Sequence, residues 1–266
     1  MKKLAVIGKD VSKSLSPRIH KFIAKYTGND LEYESISIPE PEFAKTVGKL
    51  FKEYDGFNVT IPYKLSIIPY LSEIEGDAKV FGAVNTIRVS DISGHNTDGM
   101  GFALMLKNNG VNVEDKDILL LGAGGAGRSV AKKLADAGAK VYVYDTRHES
   151  AKNLENEFKG VKAIENIEIK PYYAIINATG IGMHKTEGIS PVGEEILSKC
   201  TVAIDLIYTP EKSEFLRLAE KHGKKIINGK AMLFYQAYYS QCIYFEKPAN
   251  ENQAKELFDK FKEEIL

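Results

Sequence analysis

Apolar and polar residues along this chain alternate between short runs that suit a buried strand and stretches that repeat every three or four residues. Leu4-Ala-Val-Ile7 is a compact apolar run stopped by Gly8 and predicts a first strand. Ser16-Pro17 opens a helix, with Ser16 as N-cap and Pro17 at the first helical position; it should run to about residue 26 and stop near Gly28. Residues 33–38 alternate as a strand, 42–51 read as a helix, Gly56-Phe-Asn-Val-Thr60 is a third strand and 84–89 another. Asp98 or Gly99 begins a helix through Lys107 that Asn108-Asn109-Gly110 closes. Strands alternating with helices predict a mostly parallel sheet covered on both faces.

The sharpest segment is Ile118-Leu-Leu-Leu-Gly122-Ala-Gly124-Gly125-Ala126-Gly127-Arg128. An apolar strand runs straight into Gly-x-Gly-x-x-Gly, and an alanine-rich helical pattern follows. Gly122 permits the turn, Gly124 lets the backbone approach a pyrophosphate, and Gly127 lets the helix pack on the strand. The next strand, 140–144, ends at Asp145, where a ribose-binding carboxylate is expected. Further strands are predicted at 173–177, 202–206 and 225–227, and helices near 128–137, 149–158, 191–199, 212–222, 231–245 and 252–265. The fold class that follows is α/β. An N-terminal three-layer α/β/α substrate domain, 1–99, precedes a Rossmann-type doubly wound parallel-sheet nucleotide domain, 100–236. The last helices, about 237–266, return to the first domain.

Composition removes some classes of function. The chain has 266 residues with 36 basic and 36 acidic side chains. No basic face is implied, so nucleic acid is not an expected partner. No apolar stretch is long enough to span a bilayer, and the N-terminal run is too short for a signal peptide. Cys200 and Cys242 have no metal or redox spacing, which suits a reducing, cytoplasmic setting. The five histidines have no metal spacing either and read as structural, so no metal is expected.

Three polar segments lie outside the nucleotide unit. Ser12-Lys-Ser14-Leu-Ser16-Pro17 follows the first strand at a helix start, where hydroxyls suit a carboxylate; simple capping by Ser16 also fits. Asn58-Val-Thr60-Ile-Pro-Tyr-Lys64 puts a lysine in the first turn of an expected helix, the wrong end for a cation, although a solvated surface lysine also fits. Asn85-Thr86 and Asn96-Thr97-Asp98-Gly99 complete the set, with Asp98 also readable as an N-cap.

Taken together, these segments resemble the shikimate dehydrogenase family. The resemblance runs in order through Ser14-Leu-Ser16-Pro17, Asn58 to Lys64, Gly82-Ala-Val-Asn85-Thr86, Asn96-Thr97-Asp98-Gly99 and Gly122 to Arg128. It continues through Asn177-Ala-Thr179-Gly-Ile-Gly-Met183, Asp205-Leu-Ile-Tyr208-Thr-Pro210 and Asn228-Gly229-Lys-Ala-Met232-Leu-Phe-Tyr-Gln236-Ala. It implies an enzyme that reversibly reduces 3-dehydroshikimate to shikimate with NADPH in aromatic amino-acid biosynthesis. Ser14 and Ser16 would then hold the substrate carboxylate. Thr60, Asn85, Asp98 and Gln236 would bind ring hydroxyls with Tyr208 nearby, and Lys64 and Asp98 would form the catalytic pair. Gly122, Gly124, Gly125, Ala126 and Gly127 would cradle the pyrophosphate. Asp145, Thr146 and Arg147 would meet the adenosine ribose, and Asn177, Thr179, Met183, Ile207 and Gly229 would border the second ribose and nicotinamide. The family commonly has Asn-Arg-Thr where this chain has Asp145-Thr146-Arg147, so NAD is an alternative cofactor to NADP. A quinate or mixed quinate/shikimate dehydrogenase, and more remotely a nucleotide-sensing module without catalysis, are the rival functions. The resemblance leaves monomer and homodimer both open.

Overall fold

The structure, a computed structural model, describes residues 1–265. It divides into two compact units: Met1–Leu104 together with the chain from Leu233 onward, and Met105–Met232.

The first unit holds strands β1 (Lys2–Gly8), β2 (Leu31–Ser37), β3 (Gly56–Val59), β4 (Glu73–Ile74), β5 (Thr86–Arg88) and β6 (Ser93–His95). Its helices are α1 (Ser16–Thr27), α2 (Phe43–Glu53), α3 (Asp77–Phe81) and most of α4 (Asp98–Asn108), with most of α9 (Lys230–Tyr244) and α10 (Glu251–Ile265) from later in the chain. The strand order is β2-β1-β3-β5-β6-β4. The apolar run of β1 is continuous because both sheet faces are covered. Ala5 and Ile7 pack with Phe43, Val47 and Leu50 of α2 and with Ala78 of α3. Leu4 and Val6 pack on the opposite side with Tyr33 of β2 and Tyr244 of α9. Each fully buried aliphatic side chain here contributes about 1.5–3 kcal/mol relative to exposure.

Several local expectations change. The sheet is mixed: β1 pairs in parallel with β2 and β3, but β5 runs antiparallel to both β3 and β6. The hairpin β5–β6 was hidden because β6 is three residues long and contains glycine. Ser16 is not the N-cap of α1. Leu15 holds that place, and the Ser14 hydroxyl accepts the Ser16 N–H at 3.2 Å. Lys64 does not open a helix. Residues 61–67 form consecutive turns before a short 3-10 helix at Ile68–Tyr70, so no helix dipole acts on the lysine. Pro62 has no N–H to give, and Pro69 removes another donor from what would have been the helix interior.

The second unit carries β7 (Asp117–Leu121), β8 (Lys140–Tyr144), β9 (Val161–Ala163), β10 (Tyr172–Asn177), β11 (Cys200–Asp205) and β12 (Lys225–Ile227). Every pairing is parallel, in the order β12-β11-β10-β7-β8-β9. This is a doubly wound sheet. The order reverses between β7 and β10, and ligands of such sheets bind outside the carboxyl ends of the strands at that switch. Helices α5 (Gly125–Asp136), α6 (His148–Glu157), α7 (Glu194–Leu197) and α8 (Glu214–Lys221) connect them. Helix α5 starts three residues before the alanine-rich pattern. Its first turn is built from glycines, because close packing against the strand turn outweighs propensity. Helix α7 is far shorter than 191–199, since Pro191 and Gly193 keep the chain extended up to its N-cap.

Candidate active site

The first cluster lies at the carboxyl ends of β1 and β3. Lys64 stands a few residues past the end of β3. Its carbonyl accepts the Val84 N–H at 2.9 Å, which anchors the turn. Its ammonium donates to Asp98 Oδ2 at 2.6 Å. Asp98 is the first residue of α4, and its side chain is only 12% exposed against 23% for Lys64. The other carboxylate oxygen, Oδ1, accepts from Asn85 Nδ2 at 2.8 Å. The Asp98 N–H bonds to Asn96 Oδ1 at 3.0 Å, so the backbone position of the carboxylate is also fixed. A half-buried lysine that touches a buried, doubly bonded carboxylate can hold and move one proton at its nitrogen.

Asn85 and Gln236 belong to the same network. Thr97 joins them: its hydroxyl lies 3.1 Å from Asn85 Nδ2 and 3.4 Å from Gln236 Oε1. Thr60 directly follows β3 and bonds through its N–H to the Ile7 carbonyl at 2.9 Å, placing it beside the end of β1. Ser14 and Ser16 come after β1 in the same sheet. Ser14 is half-buried and Ser16 buried, and Ser14 is held by its N–H to the Val11 carbonyl at 3.0 Å. Serine hydroxyls, amides and an ammonium within one sheet edge are the donors that a polyhydroxylated carboxylate needs.

The second cluster lies in the other unit, at the sheet's switch point. Gly122 follows β7 with φ at +97°, a conformation that side chains rarely adopt. A Cβ on Gly127 would lie 2.0 Å from the Gly122 carbonyl oxygen, so only glycine lets the turn and α5 approach this closely. Gly124 and Gly125 are exposed and a Cβ on either would meet nothing within 4 Å. The open N-terminus of a twelve-residue helix therefore faces solvent with unpaired N–H groups, which fits a pyrophosphate. Ala126 sits inside this first turn, half-buried.

Asp145 follows β8, as its position in the sequence implies. Its Oδ2 accepts the Ala123 N–H at 2.7 Å and its Oδ1 accepts the Arg147 N–H at 2.8 Å. The carboxylate thus ties the glycine turn to the end of β8. Thr146 and Arg147 are exposed, and the Arg147 guanidinium stands 3.8 Å from Asp145 with its side chain 75% accessible. Arg128 pairs with Glu157.

Asn177 ends β10 and is fully buried. Its amide donates to the Ile181 carbonyl and to Asp205 Oδ1, and its oxygen accepts from the Thr179 N–H and hydroxyl. All four positions of that amide are used within the chain, so Asn177 shapes the turn rather than offering a free group. Asp205 also accepts the Ile207 N–H and the Ser213 hydroxyl, and burial pushes its carboxyl above the usual range. Gly229 N–H bonds the Ile207 carbonyl at 3.0 Å, and a Cβ there would meet the Leu206 carbonyl at 2.0 Å. Met183 is half-buried in the segment after β10, and Tyr208 half-buried after β11, its phenol pushed up by burial. Asn177, Thr179, Ile207 and Gly229 are thus brought together around the ends of β10, β11 and β12.

Sequence profiles of known families match both units. The shikimate dehydrogenase substrate binding domain covers residues 6–87, and the shikimate / quinate 5-dehydrogenase domain covers residues 104–194. A shikimate dehydrogenase (NADP(+)) from Carboxydothermus hydrogenoformans is 37% identical over 91% of this chain and 89% of its own. The chain belongs to the shikimate dehydrogenase family. Among solved members, a chorismate mutase/shikimate 5-dehydrogenase fusion protein from Clostridium acetobutylicum superposes with a TM-score of 0.90 at 35% identity, over 100% of this chain and 98% of that one. The shikimate 5-dehydrogenase of Thermus thermophilus, in complex with NADP(H) and shikimate, gives 0.88 at 31%, over 98% and 99%.

Several residues of the first cluster have no site role assigned from sequence. Thr97, Asn96, Thr86, Asn58 and Ser240 all bond within it. A signal existed for Ser240: it is a hydroxyl in the apolar stretch of α9, where it is fully buried. Among the described residues the one acidic group close enough to share an ion is Glu73, Glu75 and Asp91. Arg88 pairs with Asp91 and approaches Glu75, and its hydrogen bonds hold the Asp91 carboxyl down at about 2.

Proposed function

We propose that this chain catalyses the reversible, NADPH-dependent reduction of 3-dehydroshikimate to shikimate, in the pathway to aromatic amino acids. The observation that carries the reading is the 2.6 Å Lys64–Asp98 pair, anchored by Asn85, in the unit that matches the family's substrate binding domain. NADP, when bound, supplies the hydride chemistry, and the open glycine turn with the N-terminus of α5 would hold its pyrophosphate. Gly122, Gly124, Gly125, Ala126 and Gly127 form that cradle. The turns built by Asn177 and Thr179, with Met183, Ile207 and Gly229, would border the nicotinamide side, and Asp145, Thr146 and Arg147 the adenosine side.

This chain's own groups handle the proton and the geometry. Ser14 and Ser16 bind the carboxylate of the substrate. Thr60, Asn85, Asp98 and Gln236 bind or flank its oxygens. Lys64 donates to the C3 oxygen as negative charge grows there during reduction, and takes the proton back in oxidation. Asp98 holds the ammonium in place and screens its charge. A cytoplasmic setting belongs to the same reading and is supported by two free cysteines, of which Cys200 is buried with its thiol pushed up to about 11. Small molecules, not nucleic acid or a membrane, are the partners. Among the described residues no helix is long and apolar enough to cross a bilayer.

Initial rates with shikimate and with quinate, each with NADP and NAD, test the assignment. Shikimate with NADP should give the highest kcat/KM. Absence of shikimate turnover with either cofactor would refute it.

A further inference from the structure

Behind Asn85 the first unit contains a closed ring of hydrogen bonds that no substrate contact requires. Asn85 Oδ1 accepts the Thr97 backbone N–H at 2.9 Å. That bond fixes the amide orientation, since a flipped amide would set two donors against each other. The amide nitrogen must then face Asp98 Oδ1 at 2.8 Å and Thr97 Oγ1 at 3.1 Å, one hydrogen for each. Thr97 Oγ1 lies 3.1 Å from Ser240 Oγ, Ser240 Oγ lies 2.8 Å from Thr86 Oγ1, and Thr86 Oγ1 donates to Asn85 Oδ1 at 2.8 Å. The path closes on the amide where it began. Thr86, Thr97 and Ser240 are fully buried and Asn85 is 3% exposed, so water does not compete.

The direction of the ring follows from its one acceptor-only member. Asn85 Oδ1 has no proton, so Thr86 gives its proton there. The 2.8 Å contact of Thr86 with Ser240 is then a bond only if Ser240 donates, and Ser240 in turn accepts from Thr97. The Gln236 carbonyl, 2.9 Å from Ser240 Oγ, is the other acceptor for that proton. Using it would leave the Thr86–Ser240 contact without a proton while Thr86 still donates to Asn85 Oδ1, so the ring is closed only when Ser240 gives its proton to Thr86. Asn58 borders the ring without setting its direction. Its amide nitrogen donates to the Asn85 carbonyl at 3.0 Å and reaches both Thr86 and Ser240 at 3.1 Å, while its oxygen accepts from Tyr33 at 2.7 Å. Hydrogen bonds that all run one way round polarise one another.

We infer that Thr86 and Ser240 are positioning residues for catalysis: through this ring they lock the Asn85 amide so that its remaining hydrogen holds Asp98, and with it Lys64, in the reactive geometry. The inference rests on Lys64 and Asp98 being the proton-handling pair. Ser240 comes from α9, near the far end of the chain, so the last helices of this unit contribute to the chemistry of its first hundred residues.

The test measures kcat for shikimate oxidation per shikimate-binding site, the site number coming from calorimetric stoichiometry, so that loss of folded protein is removed from the rate. Thr86→Val and Ser240→Ala should each lower it roughly tenfold. The double variant should lose no more than the worse single one, because a ring is broken once. Thr86→Ser, which keeps the donor, should stay within about twofold of the parent. The KM for NADP should not move in any of them. Parental kcat per site in Thr86→Val or Ser240→Ala would overturn the inference, and so would losses that multiply in the double variant. Lys64→Ala assayed beside them separates the two levels. If it retains parental turnover, the reading of the pair fails; if it is inactive while the ring variants are parental, only the ring's role fails.

Discussion

Asp98 has two carboxylate oxygens, and each is assigned to a different donor: one to Lys64, the other to Asn85. A similar economy governs Ser14, which receives the Ser16 N–H while its own hydroxyl proton is left for a ligand. Removing both hydroxyls in Ser14→Ala/Ser16→Ala should therefore act on shikimate affinity, each bond to a charged acceptor being worth about 1.5–3 kcal/mol. Calorimetry showing parental affinity would remove the serines from the site. His20 presents a different residue-level effect. It is fully buried, stacked on Tyr33 with ring centroids 4.1 Å apart, and burial drives its pKa from 6.5 down to about 3. In the folded chain the ring stays neutral, whereas the unfolded chain protonates below about 6.5. Stability is therefore lost as pH falls from about 6.5 toward 3, and between pH 8 and pH 5 this one group costs about 2 kcal/mol. Denaturation of the parent and of His20→Phe at both pH values should show the parent losing that much more. Equal pH slopes in the two proteins would contradict it.

At the scale of elements, the strand–turn–helix of β7 and α5 separates two uses of glycine. Gly127→Ala would push a methyl against the Gly122 carbonyl, so it should lower the melting temperature as well as abolish NADP binding. Gly124→Ala meets no atom of the chain and should fold normally while weakening NADP binding alone, as read by calorimetry. Equal melting losses in both would show that the turn is not packed as described. Asp145, which ties this turn to the end of β8, also brings a negative charge near the expected position of the 2′-phosphate. Two unit charges about 4 Å apart in water repel by about 1 kcal/mol. Asp145→Asn should accordingly raise the ratio of kcat/KM for NADP over NAD by roughly fivefold to tenfold. An unchanged ratio would confine Asp145 to its scaffolding role. Elements of this kind were legible in sequence where the local signal was strong. The β7 apolar run and the glycines of α5 predicted their own turn, and Leu4 to Ile7 predicted a strand buried on both faces. What stayed hidden depended on distant partners. The three-residue strand β6 exists because β5 pairs with it. The turn around Lys64 exists because two prolines withhold donors and Val84 bonds back to the lysine carbonyl. Ser240 reads as a polar interruption of an apolar helix until the sheet brings Thr86 beneath it.

At the scale of the molecule, one chain builds two α/β units whose sheets differ in logic. The second is wholly parallel and doubly wound, so its ligand edge is set by topology at the β7/β10 switch. The first is mixed, and its site centres on one carboxylate at the start of α4, held by Lys64 from the turn after β3 and by Asn85 just before β5, with Ser240 of α9 in the network behind them. The ordered series of motifs from Ser14 to Gln236 made the family legible without a structure, whereas the hydrogen-bonding that orients Asn85 and occupies Asn177 is visible only in three dimensions. In the function proposed above, oxidation of shikimate with NADP turns on a proton moved at Lys64. Steady-state kinetics of Lys64→Ala decide whether it does. The variant's kcat should fall by roughly 10²–10⁴, the range for loss of a proton-transfer group, with a far smaller change in KM for shikimate. Near-parental kcat in a folded Lys64→Ala protein would take the proton away from Lys64.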